Sequence, residues 1–74
     1  MNWEVTDYAD FGKIMREEAI MYGIVAHVVN DTDEFEASIE MKVEPYNLVK
    51  TFRSKRSAKN WCERMVIKYG LLSN

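Results

Sequence analysis

The sequence predicts an α+β fold of order α-β-β-β-α, a three-stranded antiparallel sheet with two helices on one face, and three observations carry that expectation. Apolar residues recur at three- and four-residue spacing near both ends of the chain, which marks two amphipathic helices. Between them, residues 34 to 44 alternate between apolar and polar side chains, the pattern of a strand with one wet face. Short polar stretches and one proline separate these segments where turns are needed. Seventy-four residues suit a single domain, 1–74, and 47% of them are hydrophobic, enough for one core without disulfides or metal.

The first helix is expected to start at Asp7, with Asp10 in its first turn and both carboxylates favoured by the positive end of the helix dipole. Tyr8, Phe11, Ile14, Met15 and Glu18 give its stripe. From Ala19 the residue types change to Ile20, Tyr22, Ile24, Val25, Val28 and Val29, whose β-branching and rings favour a strand running to Val29. Asn30-Asp31-Thr32-Asp33 reads as a hairpin loop, because short polar side chains bond the local backbone there. In the next strand Phe35, Ala37, Ile39, Met41 and Val43 form the core face, while Glu34, Glu36, Ser38, Glu40, Lys42 and Glu44 form the outer one. Pro45 cannot donate to a ladder, and Tyr46-Asn47 complete a turn before a third short strand from Leu48 to Phe52. Ser54 or Ser57 caps the closing helix, whose buried stripe is Ala58, Trp61, Cys62, Met65, Val66 and Tyr69, with Gly70 as a left-handed terminator.

Composition narrows the function classes. A single histidine, a single cysteine, no glycine-rich phosphate loop and no nucleophile with an identifiable base predict a protein that is not an enzyme, with no cofactor and no metal. His27 stands in an apolar strand and reads as structural, Cys62 reads as a small core hydrophobe, and Met15, Met41 and Met65 fall on core faces. The longest apolar stretch, Ala19 to Val29, is interrupted by Gly23 and His27 and is too short to span a bilayer. The N-terminus is acidic and lacks the apolar run of a signal peptide, so a cytoplasmic location without membrane contact is expected.

Charge is the most informative property. Residues 1–44 hold eleven acids against three bases, whereas residues 45–74 hold seven bases against one acid. Strong fields of opposite sign point to a surface used electrostatically. On the acidic side, Glu34, Glu36 and Glu40 at alternate strand positions stand roughly 6.6–6.8 Å apart per step, near two axial phosphate steps of B-DNA. With Asp31 and Asp33 at the hairpin tip and Glu44 at the far end, this row can imitate a nucleic-acid strand and enter a basic groove. These six are the candidate partner-binding residues. On the basic side, Lys50, Arg53, Lys55, Arg56 and Lys59 converge on the start of the second helix, where cations oppose the helix dipole.

Ser54-Lys55-Arg56-Ser57-Ala58-Lys59 resembles the signature that opens the last helix of double-stranded-RNA-binding domains, a family with the α-β-β-β-α order. The resemblance implies phosphate contacts through Lys55, Arg56 and Lys59. It does not extend to the small residues after the signature, where Trp61, Cys62 and Glu63 stand, and Asp31 and Asp33 would repel phosphate. Direct nucleic-acid binding is therefore expected to be weak or absent. An acidic strand, a basic helix start and the lack of a catalytic set make the chain similar to the small early proteins with which bacteriophages disable host machinery, among them DNA-mimicking inhibitors of the replicative sliding clamp. That likeness implies a host protein with a basic nucleic-acid-binding surface as partner, in the host cytoplasm. The chain contains no glutamine, so the linear peptide of clamp clients is ruled out and docking would use the folded surface. Self-association of the oppositely charged halves into a homodimer is a third reading.

Overall fold

The computed structural model describes residues 1–72 and consists of five antiparallel strands in the order in which they follow along the chain, closed by one C-terminal helix. The expected three strands and two helices are thereby corrected, and the difference in the number and type of elements arises before Thr32.

No helix begins at Asp7. The segment forms two strands, β1 (Glu4–Tyr8) and β2 (Ile14–Met21), around a tight loop. Ala9 N–H donates to Lys13 O at 2.8 Å and Gly12 N–H to Ala9 O at 2.9 Å, with Gly12 at φ +86°, a conformation open to glycine for want of a Cβ. Tyr8, Phe11 and Ile14 share helical spacing only because a turn separates them. Along β2 the side chains alternate, with Met15, Glu17, Ala19 and Met21 inward and Ile14, Arg16, Glu18 and Ile20 outward. The charge at inward Glu17 hides the apolar alternation that would reveal a strand.

The single strand expected from Ala19 to Val29 is a hairpin. After Met21 the chain reverses through Tyr22 (φ +56°) and Gly23 (φ +73°) and returns as β3 (Ile24–Asp31). Positive φ at both central residues is the type I′ geometry whose twist matches the flanking strands. A second two-residue turn, Thr32-Asp33, leads into β4 (Glu34–Glu40). That strand stops four residues short of Glu44. Met41 remains buried, but Val43, expected in the core, is 50% exposed in the 41–46 loop. β5 (Asn47–Phe52) forms the far edge and agrees with the expected third strand.

The helix α1 (Lys55–Leu72) is capped by Ser54, whose Oγ accepts from Ser57 N–H at 3.1 Å. Its stripe lies as expected, with Ala58, Trp61, Cys62 and Val66 buried and Met65 and Tyr69 packed beside them. Gly70 does not terminate it. The residue lies inside the helix, buried against the Tyr22 ring. α1 crosses β3 and β4 and touches β5, covering Ile24, Ala26, Val28, Ala37, Ile39 and Met41. Alanines at the centre of the sheet, Ala26 and Ala37, let the helix come close, and Trp61 fills the flank toward Phe52 with ring centroids 6.0 Å apart. Among the described residues only one face of the sheet is covered. No helix among the described residues is long and apolar enough to cross a membrane.

Candidate interaction face

The strand registers align the open face of the sheet into three transverse rows. One runs Glu4, Glu18, His27, Ser38, Val49; the next Arg16, Val29, Glu36, Thr51; the third Ile20, Val25, Glu40, Asn47. Asp31 stands opposite Glu34 at the end of β3 and β4. The face carries more than the row expected on β4: Glu4 and Glu18 join Glu34, Glu36 and Glu40, with Arg16 the one guanidinium among them. Two acid pairs, Glu4 with Glu18 and Asp31 with Glu34, sit directly across from each other, which costs stability. Exposed Ile20 (66%) and Val49 (56%) supply apolar area at its two sides.

At the centre, His27 is 8% exposed although no layer lies above it. The long side chains around it provide the cover. Arg16 Nη2 lies 2.8 Å from His27 Nδ1, Glu18 Oε2 lies 3.5 Å from the same nitrogen, and Glu40 Oε1 lies 3.9 Å from Nε2. A guanidinium only donates, so in the contact with Arg16 the Nδ1 atom is the acceptor, while Nε2 faces Glu40. His27, expected as a structural residue of a single strand, stands on the open face of the β2–β3 hairpin. The alternation Val25, His27, Val29 is the signal that would have placed it outward.

Of the other expected partner-binding residues, Asp33 occupies the Thr32-Asp33 turn and Glu44 the 41–46 loop, both exposed. Glu36 and Glu40 are separated by Ser38, so the row on β4 has a gap at its middle.

The basic cluster is divided. Lys59 Nζ lies 2.7 Å from Glu17 Oε1 and Lys55 Nζ 3.0 Å from Glu17 Oε2, so two of the three signature cations point into the protein. Burial pulls the Glu17 pKa upward, but hydrogen bonds and charge from Lys59 and Lys55 outweigh it and hold the carboxyl below the usual 4.5. Lys59 also lies 5.3 Å over the Trp3 ring. Lys50 sits on the helix side of β5, 5.5 Å over Phe52. Arg53 is exposed between β5 and α1. Arg56 is exposed on an open groove of about 450 Å³ beside Trp3, Asn60 and Glu63. The cations at the helix start therefore have an internal reason: they neutralise a carboxylate on the inward face of β2.

Reactive groups are accounted for structurally. The Cys62 thiol is buried, within 4.0 Å of the carbonyl oxygens of His27 and Ser38, and burial together with the nearby Glu63 charge pushes its pKa up to about 12. Among the described residues no three His, Cys, Asp or Glu side chains are grouped to hold a metal ion. Comparison with protein-family models, with curated proteins and with solved structures gave no match.

Proposed function

We propose that this protein is a non-enzymatic binding protein whose open acidic face occupies a basic, nucleic-acid-contacting surface of a partner protein, and so inhibits a host DNA-processing protein of the sliding-clamp kind. The observation that carries this reading is the concentration of six carboxylates, Glu4, Glu18, Asp31, Glu34, Glu36 and Glu40, with like charges directly opposed, on the sheet face that nothing among the described residues covers. Stability alone would favour alternating signs there. Strands hold the carboxylates in fixed positions, so little ordering entropy is lost when they meet a row of lysines and arginines. The apolar flanks at Ile20 and Val49 add desolvated contact beside the charges.

Support for a non-catalytic role comes from the two groups that could act in catalysis. Cys62 is held as a thiol in the core, and His27 has its basic nitrogen occupied by Arg16. The alternative, direct binding of double-stranded nucleic acid, has weaker support. Lys55 and Lys59, two of its three signature cations, are engaged by Glu17, and the element order that strengthens the likeness is not that of this chain.

Pull-down from nuclease-treated bacterial lysate, comparing the native chain with Glu34→Gln/Glu36→Gln/Glu40→Gln, tests the proposal, followed by competition against a labelled duplex on the captured partner. The native chain should retain a nucleic-acid-binding protein and displace the duplex, and the variant should do neither. A ternary complex of partner, duplex and this protein with undiminished duplex affinity would overturn it.

A further inference from the structure

The two edges of the sheet are not equally protected. β1 pairs with β2 through two register shifts, between Val5 and Asp7 and between Asp7 and Tyr8, and carries Glu4 and Asp7. Bulges and charged side chains, lysine above all, are the usual means of blunting an edge. β5 has no bulge, and its one charge, Lys50, lies on the helix side over the Phe52 ring. Its six residues, Asn47-Leu48-Val49-Lys50-Thr51-Phe52, pair with β4 in unbroken register, and among the described residues no strand lies beyond them.

The hydrogen-bond phase shows what that edge offers. Met41 N–H donates to Tyr46 O at 2.8 Å, which makes 41/46 a hydrogen-bonded position of the β4–β5 ladder. Alternation then bonds Leu48, Lys50 and Phe52 to β4 and turns the main chain of Asn47, Val49 and Thr51 outward. The two-residue turn at Thr32-Asp33 leads to the same phase, since it closes on a hydrogen-bonded Asp31/Glu34 pair. Asn47 N–H is used locally on Pro45 O at 2.7 Å. Two amides, at Val49 and Thr51, and three carbonyls, at Asn47, Val49 and Thr51, therefore face away from the sheet.

We infer that β5 pairs antiparallel with β5 of a second copy of this chain, about a two-fold axis through Val49, joining the two sheets into one of ten strands. In that register Val49 N–H and O meet those of Val49 in the second copy, and Thr51 N–H meets Asn47 O, giving about four main-chain hydrogen bonds. The side chains are self-complementary. Val49 meets Val49, Asn47 meets Thr51, and the Lys50 stem lies over Leu48, with no like charges opposed across the seam. The acid rows on the two β4 strands stand three strand spacings apart, about 14 Å, beyond the Debye length of about 8 Å at physiological ionic strength. Pairing of β5 with β1 would give an open filament rather than a closed dimer, and the bulged, acidic β1 edge disfavours it. The inference rests on the main chain of the edge strand and not on the proposed function, although Val49 belongs to both surfaces.

Hydrogen exchange on the full chain, read residue by residue from about 10 µM to about 1 mM, spans the range in which so small an interface associates. Protection of the Val49 and Thr51 amides should rise with concentration, whereas Leu48 and Lys50, bonded to β4, stay protected throughout. Sedimentation should show the mass doubling over the same series. Val49→Pro removes an outward N–H without breaking a bond to β4 and should raise the dimer dissociation constant at least about 100-fold. Val49→Lys, which puts like charges on the axis, should also weaken the dimer, with partial recovery in high salt. Fast exchange of both amides at the highest concentration, a single monomeric mass throughout, or an unchanged dimer in both variants would overturn the inference.

Discussion

Replacing Glu17 with Gln probes why the helix starts with cations. The carboxylate is 8% exposed in its side chain and accepts from both Lys55 and Lys59. Removing one partner of a fully buried ion pair costs about 3–5 kcal/mol. The lysine side chains are 34% and 25% exposed, however, and can swing their ammonium groups into water. The expected loss is therefore smaller, about 2 kcal/mol at pH 7, or roughly 10 °C in Tm for a chain of this size. The sign with pH follows from the direction of the Glu17 shift, below 4.5 in the folded state. A carboxyl with a depressed folded pKa stabilises the fold above its unfolded value, and that contribution is lost as pH falls through the folded value. Urea unfolding of the native chain and Glu17→Gln should show the gap at pH 7 and its progressive closure below about pH 4.5. Equal stability at pH 7, or a gap that persists undiminished at about pH 2, would refute the assignment of Lys55 and Lys59 to this carboxylate.

Three further outcomes are expected. Trp61→Ala should destabilise by about 3–5 kcal/mol in the same assay, because the ring is 8% exposed and its loss leaves a cavity against Phe52. Gly70→Ala should destabilise by about 1–3 kcal/mol, since the added Cβ would meet the Tyr22 ring and lie 2.8 Å from its Cγ, outweighing the roughly 1 kcal/mol alanine gains in a helix. Cys62 should resist thiol-labelling reagents at about pH 8 in the folded chain and react at once in denaturant, as measured by mass spectrometry, given its burial and raised pKa.

The part of the chain after Asn30 was largely legible, and the part before it was not, for reasons visible in particular residues. Phe35, Ala37 and Ile39 alternate cleanly with Glu36 and Ser38 because β4 has one covered and one open face, so period two survives in the sequence. The Ser54 cap and the stripe from Ala58 to Tyr69 mark α1 by the same logic at period 3.6. In β2 the pattern is scrambled on both faces at once: Glu17 points inward as half of an ion pair, and Ile20 points outward at 66% exposure. The β2–β3 turn was hidden differently, since Tyr22 takes a positive φ that local preference assigns to Asn, Asp or Gly. At the candidate site, the acids on β4 were legible from alternation alone. Glu4, Arg16 and Glu18 were not, because their place beside His27 depends on the pairing of β1, β2 and β3, which a reading of that segment as a helix excludes.

One helix cannot cover five strands, and both surfaces described above follow from that mismatch. Strand axes about 4.8 Å apart place the outer two about 19 Å from each other, whereas a helix is about 10 Å across. Centred on β3 and β4, α1 leaves the inward face of β2 beyond its reach, and there the chain uses Trp3 and the stems of Lys55 and Lys59 as cover, with Glu17 to hold the ammonium groups. Two of the cations that look most available in the sequence, Lys55 and Lys59, are consumed in closing the fold. The acids have no such internal duty: apart from Glu18 and Glu40 around His27, those on the open face find no cation among the described residues. Carboxylates without partners, fixed on strands and placed on the face the helix does not reach, are available to a basic surface outside the chain. The cations at the helix start are not equally available to phosphate.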